Sequence, residues 1–112
     1  MTDFKKIKIN RSRSVKEALI QMEKTKLGFL VATSDDEKVL GTITDGDLRR
    51  YLINNKSKDN LELVINKEFT FVKENFDRER VLKQFDRSIK FIPVLDEKDH
   101  LVTILTPRNL PL

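Results

Sequence analysis

Two carboxylates, two threonines and two arginines lie close together in the segment GTITDGDLRR at positions 41–50. A carboxylate can accept two hydrogen bonds from a diol, and a neighbouring hydroxyl can both donate and accept. Thr44 and Asp47 also have the spacing of a helix capping box, in which each side chain meets the other residue's backbone N–H. The residues therefore allow a helix cap, a ribose-phosphate site, or a metal site on Asp45 and Asp47.

The two arginines of this segment and the single histidine of the chain add little further chemistry. Arg49 and Arg50 would lie on an exposed helix, where they are solvated or meet a phosphate beside the site. The single histidine, His100, is predicted in an exposed hairpin turn, and no glycine-rich phosphate loop occurs. We therefore predict no catalytic residue and no metal site, and we do not expect this chain to be an enzyme.

Composition narrows the class of protein. The 112 residues suit one domain, and 38% of them are apolar. No apolar run is long enough to cross a membrane, the N-terminus does not resemble a signal peptide, and cysteine is absent. The net charge is +4, but acids are interleaved with the lysines, so no nucleic-acid partner is expected. The sequence predicts a cytoplasmic protein with no membrane partner.

An internal repeat organises the chain. Positions 28–48 align without a gap to positions 90–110, with Phe29 on Phe91 and Thr44 on Thr106. Each copy has helical apolar spacing followed by two short strands around an acidic turn. In the first copy the helix begins after Ser14, with Glu17 completing a capping box. The second helix of that copy is predicted over DGDLRRYLIN, positions 45–54.

The repeat predicts an α/β (α+β) fold made of two β-α-β-β-α halves, residues 1–56 and 57–112. A half of this size buries too little surface to be stable alone, so we expect the halves to pack sheet to sheet about a pseudo-two-fold axis. The polar segment at positions 54–60 is predicted to link them.

The repeated motif resembles that of the CBS domain. The first copy has Gly41-Thr42-Ile43-Thr44-Asp45-Gly46-Asp47-Leu48, and the second keeps Pro93-Val94, Thr106 and Leu110. Thr103 and Asn109 replace the glycine and the aspartate in the second copy. From about position 7 to position 110 the chain is similar to a tandem CBS pair, or Bateman module.

That resemblance implies a non-enzymatic sensor that requires no cofactor and binds an adenosine-containing nucleotide (AMP, ADP or ATP) between its repeats. CBS pairs also commonly form homodimers. The implied ligand-binding residues are Thr44 and Asp47 in the first motif, Thr106 and Asn109 in the second, Pro93 and its counterpart Val31 for the base, and Arg49 and Arg108 for phosphate. Because an amide accepts at only one oxygen, Asn109 predicts a weaker second site.

A narrower resemblance concerns the setting of the pair. TITDGDLRR after the predicted strand KKIKI is similar to the regulatory segment that precedes a sugar-phosphate nucleotidyltransferase domain. A similar motif occurs in arabinose-5-phosphate isomerases, where the pair follows the catalytic domain. Since Pro111 leaves barely one helical turn after Thr106, we expect the chain to be a fragment. The resemblance implies that it modulates an attached nucleotidyltransferase domain.

Two alternatives remain at this point. The chain is a dimerisation scaffold without bound ligand, or it is a fragment of a metal-dependent glycosyl or nucleotidyl transferase that uses Asp45-Gly46-Asp47.

Overall fold

A computed structural model describes residues 4–54, 60–85 and 89–108, except for the side chain of Phe4. The chain divides into two compact units, Met1–Phe69 and Thr70–Leu112. Each unit contains a three-stranded sheet with at least one helix, so the predicted α/β class is confirmed.

The first unit has the element order that the sequence predicts. Its elements are a 3-10 turn Phe4–Lys6, β1 (Lys8–Asn10), α1 (Val15–Thr25), β2 (Phe29–Thr33), β3 (Val39–Thr44), α2 (Asp45–Asn54) and a 3-10 turn Leu61–Leu63. β1 pairs in parallel with β2, and β2 pairs antiparallel with β3, giving the sheet order β1-β2-β3.

The second unit repeats this topology. Its elements are β4 (Val72–Lys73), α3 (Arg78–Gln84), β5 (Ile92–Leu95) and β6 (Leu101–Leu105), with the order β4-β5-β6 and the same parallel and antiparallel pairings. A helix after β6 would fall mostly on positions 109–112, outside the described residues.

The two hairpin turns show how closely the copies agree. The Ser34 N–H donates to the Lys38 carbonyl at 2.9 Å, and the Asp96 N–H donates to the His100 carbonyl at 3.0 Å. Glu37 and Asp99 occupy the same left-handed position, with φ of 67° and 66°. The internal repeat therefore extends to turn geometry.

Helix α1 begins where its sequence predicts. The Ser14 hydroxyl accepts from the Glu17 N–H at 3.0 Å, and the Glu17 carboxylate accepts from the Ser14 N–H at 3.3 Å. The backbone hydrogen bond from Ser14, aided by Arg13, lowers the pKa of Glu17. At the other end Lys26 caps the helix in the left-handed conformation, with φ of 58°.

The N-terminal strand is shorter than the segment KKIKI, which we predicted to be extended from position 5 to position 9. Phe4–Lys6 forms a 3-10 turn, and β1 begins at Lys8. In the register that pairs Lys8 with Val31, Lys5 would lie opposite Gly28. Gly28 has a φ of +80°, which is not extended, and β2 begins at the next residue. β2 therefore offers no partner for the start of the predicted strand.

Each unit has its own apolar core. The first core consists of Ile9, Val15, Ala18, Met22, Leu30, Ala32, Ile43, Leu48, Tyr51, Leu61, Val64 and Ile65. The second consists of Val81, Ile92, Val94 and Leu105, with Val72, Phe76, Phe85 and Ile89 packed against it. Because Leu61, Val64 and Ile65 belong to the first core, the segment after the described end of α2 packs on the first unit.

Candidate functional site

The first motif lies where β3 ends and α2 begins. Thr44 is the last residue of β3 and Asp45 the first of α2. The Asp45 N–H donates to the Gly28 carbonyl at 3.0 Å, which ties the start of α2 to the residue before β2. The motif side chains are thus held at the junction of β3 and α2.

Thr44 and Asp47 form a reciprocal cap at this junction. The Thr44 hydroxyl accepts from the Asp47 N–H at 3.1 Å, and the Asp47 Oδ2 atom accepts from the Thr44 N–H at 2.9 Å. Such a cap satisfies backbone donors that have no partner within the helix. Thr44 and Asp47 therefore cap helix α2, as the capping interpretation of the motif predicts.

Arg50, rather than Arg49, reaches the motif carboxylate. The Arg50 Nη2 atom lies 2.6 Å from Asp47 Oδ1, whereas Arg49 pairs with Asp45 at 3.2 Å. Both arginines are largely exposed, but Asp47 retains only 18% of its side-chain exposure. We selected Arg49 from the sequence; the spacing of three residues from Asp47 is the signal that would have selected Arg50.

The cap leaves hydrogen-bonding capacity on both side chains. An ionised carboxylate has about four acceptor positions, and Asp47 accepts hydrogen bonds from the Thr44 N–H and the Arg50 guanidinium. The Thr44 hydroxyl accepts one bond and can still donate its own proton. The pair can therefore take the two hydroxyls of a ribose without breaking the cap.

A shallow depression adjoins this pair. It has a volume of about 300 Å³ and is lined by Asp47, Arg50, Tyr51, Asn54, Leu63 and Val64. Pockets for small molecules commonly span roughly 300–1,000 Å³. The depression therefore has room for part of a nucleotide beside the Asp47 carboxylate.

The motif glycine has a structural reason. A Cβ on Gly41 would lie 2.3 Å from the Asn66 carbonyl oxygen and 2.7 Å from Ile65 Cγ2. Asn66 approaches because it forms an antiparallel bridge with Thr42, with N–H···O distances of 3.1 and 2.8 Å. Gly41 thus allows the segment after α2 to pair with the edge of β3.

The remaining predicted site residues lie in different surroundings. Val31 and Pro93 are buried at equivalent positions of β2 and β5, and the Val31 N–H already donates to the Ile7 carbonyl at 2.9 Å. Thr106 is half-buried directly after β6, and Arg108 is exposed in the turn that follows. Asn109 lies outside the described residues.

The carboxylates of the D-x-D segment are engaged by other groups. Asp45 pairs with Arg49, and Asp47 with the Thr44 N–H and Arg50. Among residues 4–54, 60–85 and 89–108, no group of three or more histidine, aspartate or glutamate side chains could hold a metal ion. Nothing here favours the metal-site interpretation of Asp45-Gly46-Asp47.

His100 lies at the end of the second hairpin turn and is partly exposed. Its backbone N–H donates to the Asp96 carboxylate at 2.9 Å, and its ring Nδ1 atom lies 3.6 Å from the other oxygen of that carboxylate. The backbone hydrogen bonds from His100 and Lys98 lower the pKa of Asp96. These contacts stabilise the turn.

In the described part of the chain, none of the helices has the combined length and apolar character that a bilayer span requires.

Comparison with known proteins identifies the repeated unit. The profile of the family described as CBS domain matches residues 1–54 and 61–110. The inosine-5'-monophosphate dehydrogenase of Methanocaldococcus jannaschii is 26% identical over 105 residues, which are 93% of this chain and 21% of that enzyme. The chain therefore spans about a fifth of that relative's length.

Solved structures agree on the fold. A crystal structure of CBSX2 in complex with AMP matches with a TM-score of 0.79 and 21% identity, covering 98% of this chain and 88% of that chain. The CBS domain pair of protein MJ0100, in complex with 5-methylthioadenosine and S-adenosyl-L-methionine, matches with a TM-score of 0.76 and 24% identity. That match covers 91% of this chain and 82% of the other.

Proposed function

The chain belongs to the CBS domain family, and we propose that it is a regulatory module that binds an adenosine-containing nucleotide: AMP, ADP or ATP. One observation carries the proposal. Thr44 and Asp47 are brought together at the junction of β3 and α2, and both side chains keep unused hydrogen-bonding positions. The adenosine compounds bound by CBSX2 and MJ0100 support the choice of ligand class.

In this proposal Asp47 accepts hydrogen bonds from both ribose hydroxyls and Thr44 contacts one of them. Arg50, which is exposed and already beside Asp47, turns toward the phosphate. At the start of α2 the charges of Asp45 and Asp47 are balanced by those of Arg49 and Arg50. We therefore expect the Arg50 guanidinium, more than the helix terminus, to bind the anionic group of the ligand. The roles of Val31, Pro93, Thr106, Arg108 and Asn109 stay predictions.

Ligand binding regulates only if the ligand has different affinities for two states of the protein. We propose that the nucleotide alters the conformation of the module and so modulates an attached nucleotidyltransferase domain. The similarity of TITDGDLRR to such regulatory segments is the support for this setting. A glycine-rich A-G-G-x-G-T-R segment after Leu112 in the gene would support it, and a different catalytic domain there would refute it. The cytoplasmic location also stays a prediction.

The test of nucleotide binding compares two aspartates on the same helix turn. Calorimetry with AMP, ADP and ATP on the 112-residue chain should show binding that Asp47→Asn weakens at least about tenfold, because an amide accepts at one oxygen only. Asp45→Asn is the control, since it removes the same charge from an exposed position. No binding by any of the three nucleotides, or equal losses in both variants, would refute the proposal.

A scaffold role is the second candidate, favoured by apolar side chains that helices expose. Leu52 and Ile53 of α2 keep 47% and 71% of their surface accessible, and Leu19 of α1 keeps 37%. Exposed apolar patches commonly mark interfaces between proteins. Sedimentation of the chain without nucleotide tests this: a homodimer that Leu52→Lys and Ile53→Lys dissociate would support the scaffold, and a monomer would refute it.

A further inference from the structure

A groove of about 610 Å³ lies on the first unit, between α1 and the N-terminal segment. The 3-10 turn Phe4–Lys6 and β1 form one wall, and the side chains of Ile20, Gln21 and Lys24 on α1 form the other. Its lining includes neither Thr44 nor Asp47. It follows the outer edge of β1, whereas α2 follows β3 at the opposite edge of the sheet, so it is separate from the candidate site above.

Gln21 holds the two walls of this groove together. Its Nε2 atom donates to the carbonyls of Lys6 and Lys8 at 2.6 and 2.7 Å. These carbonyls face away from β2 and would otherwise be open at the edge of the sheet. The amide thus fixes the distance between α1 and β1 before any ligand arrives, and preorganisation of this kind reduces the entropy that binding loses.

The groove carries a strong excess of positive charge. Its cationic residues are Lys5, Lys6, Lys8, Arg13 and Lys24, against one carboxylate, Glu17. Glu17 is paired with Arg13 at 2.9 Å, and Lys8 is paired with Glu37 at 3.2 Å. Among the residues that the structure describes, neither the Lys6 nor the Lys24 ammonium has a carboxylate partner within ion-pair distance. The unbalanced charge favours an anion.

The spacing of the cations favours an anion with several charged groups. Arg13 precedes α1 and Lys24 lies in its last turn, so they are separated by roughly three helical turns, or about 16 Å. Lys5, Lys6 and Lys8 lie on the opposite wall. A single phosphate would meet only part of this array, whereas a chain of phosphates would follow it.

We propose that this groove binds an anion carrying two or more linked phosphate groups, either free or as the polyphosphate end of a larger molecule. Lys6 and Lys24, from opposite walls, are the cations that gain a partner on binding. The half-exposed Ile20 supplies apolar surface beside them, which suits a larger molecule that bears the phosphates. The site is independent of the ribose site proposed for Thr44 and Asp47.

The experiment uses inorganic tripolyphosphate, which has no ribose and so does not probe Asp47. Amide NMR of the 112-residue chain should shift signals near positions 5–10 and 20–25, and calorimetry gives the affinity. The double variant Lys6→Gln/Lys24→Gln should weaken binding about tenfold, since each lost contact at an exposed site is modest.

A matched control separates a site from general attraction to a basic protein. Lys16→Gln/Lys38→Gln removes the same charge from exposed positions outside the groove lining, and it should change affinity less than twofold. Equal losses in the two double variants, signals that shift mainly elsewhere, or no binding at 0.15 M salt would each overturn the proposal. ATP binding more tightly than tripolyphosphate to Asp47→Asn would identify a larger phosphate ester as the better ligand.

Discussion

Thr44 and Asp47 bond each other across the start of α2, each side chain with the other's backbone N–H, at 3.1 and 2.9 Å. The residues proposed to hold a ribose therefore also cap the helix. An alanine substitution at either would lower stability and affinity together, because loss of a cap costs about 1 kcal/mol. The conservative change Asp47→Asn keeps an oxygen for the cap and isolates the effect on binding.

The first prediction concerns the arginines that follow the motif. Arg50→Ala should lower the affinity for AMP about tenfold, because the guanidinium beside Asp47 is lost as a phosphate partner. Its affinity for adenosine should not fall, since adenosine has no phosphate and Asp47 Oδ1 becomes available. Arg49→Ala, which removes only the exposed pair with Asp45, should leave both affinities unchanged. Calorimetry with the two ligands measures this, and equal effects of the two variants would contradict it.

The second prediction compares equivalent positions of the two repeats. Gly41→Ala should lower the free energy of unfolding by about 2 kcal/mol, because the added Cβ would displace Asn66 and break its bridge with Thr42. Thr103→Ala, at the aligned position of β6, should change it by less than about 1 kcal/mol. Urea denaturation gives both values. If Gly41→Ala leaves the free energy of unfolding unchanged, the prediction is wrong, and the segment at Asn66 moves to accept the added Cβ.

The third prediction concerns the end of α1. Lys26 adopts φ of 58°, a conformation that strains side-chain-bearing residues and not glycine. Lys26→Gly should therefore raise the free energy of unfolding by about 0.5–1 kcal/mol. Lys24→Gly, two residues earlier and within the helix, should lower it by about 1 kcal/mol. The opposite signs make denaturation midpoints a direct check, and a loss in both variants would argue against the cap.

The fourth prediction concerns acid. Hydrogen bonds to backbone N–H groups lower the pKa of Glu17 in the cap of α1 and of Asp96 in the second hairpin turn. A carboxyl group whose pKa is lower in the folded state stabilises the fold above its unfolded pKa, about 4.3 for Glu and 3.9 for Asp. That contribution is lost as pH falls through the folded-state value. Glu17→Gln and Asp96→Asn should flatten the decline of stability below about pH 4.5, measured by thermal unfolding. An unchanged decline would contradict the assignment.

The sequence predicted those features that depend on neighbouring residues. Ser14 and Glu17, the hairpin turns and the boundary of α2 after Thr44 all follow from contacts within a few positions, and each is confirmed. The repeat added the topology, because two aligned copies make the same pattern more specific.

Features that depend on distant contacts were not predicted. The bonds from Gln21 to the Lys6 and Lys8 carbonyls and the bridge from Asn66 to Thr42 join segments that lie far apart in the chain. The 3-10 turn Phe4–Lys6, which replaces the start of the predicted strand, was not predicted either. We selected Arg49 from the sequence, although the spacing of three residues from Asp47 favours Arg50. Side-chain rotamers decide which of two adjacent arginines reaches a carboxylate.

The two halves differ in whether a side chain fits at the position of Gly41. A change at that position is met at once by the Asn66 carbonyl, 2.3 Å from where a methyl group would be, whereas its twin already carries a threonine. A side chain at this position would therefore disturb the packing of the first half, whereas the second half already holds one.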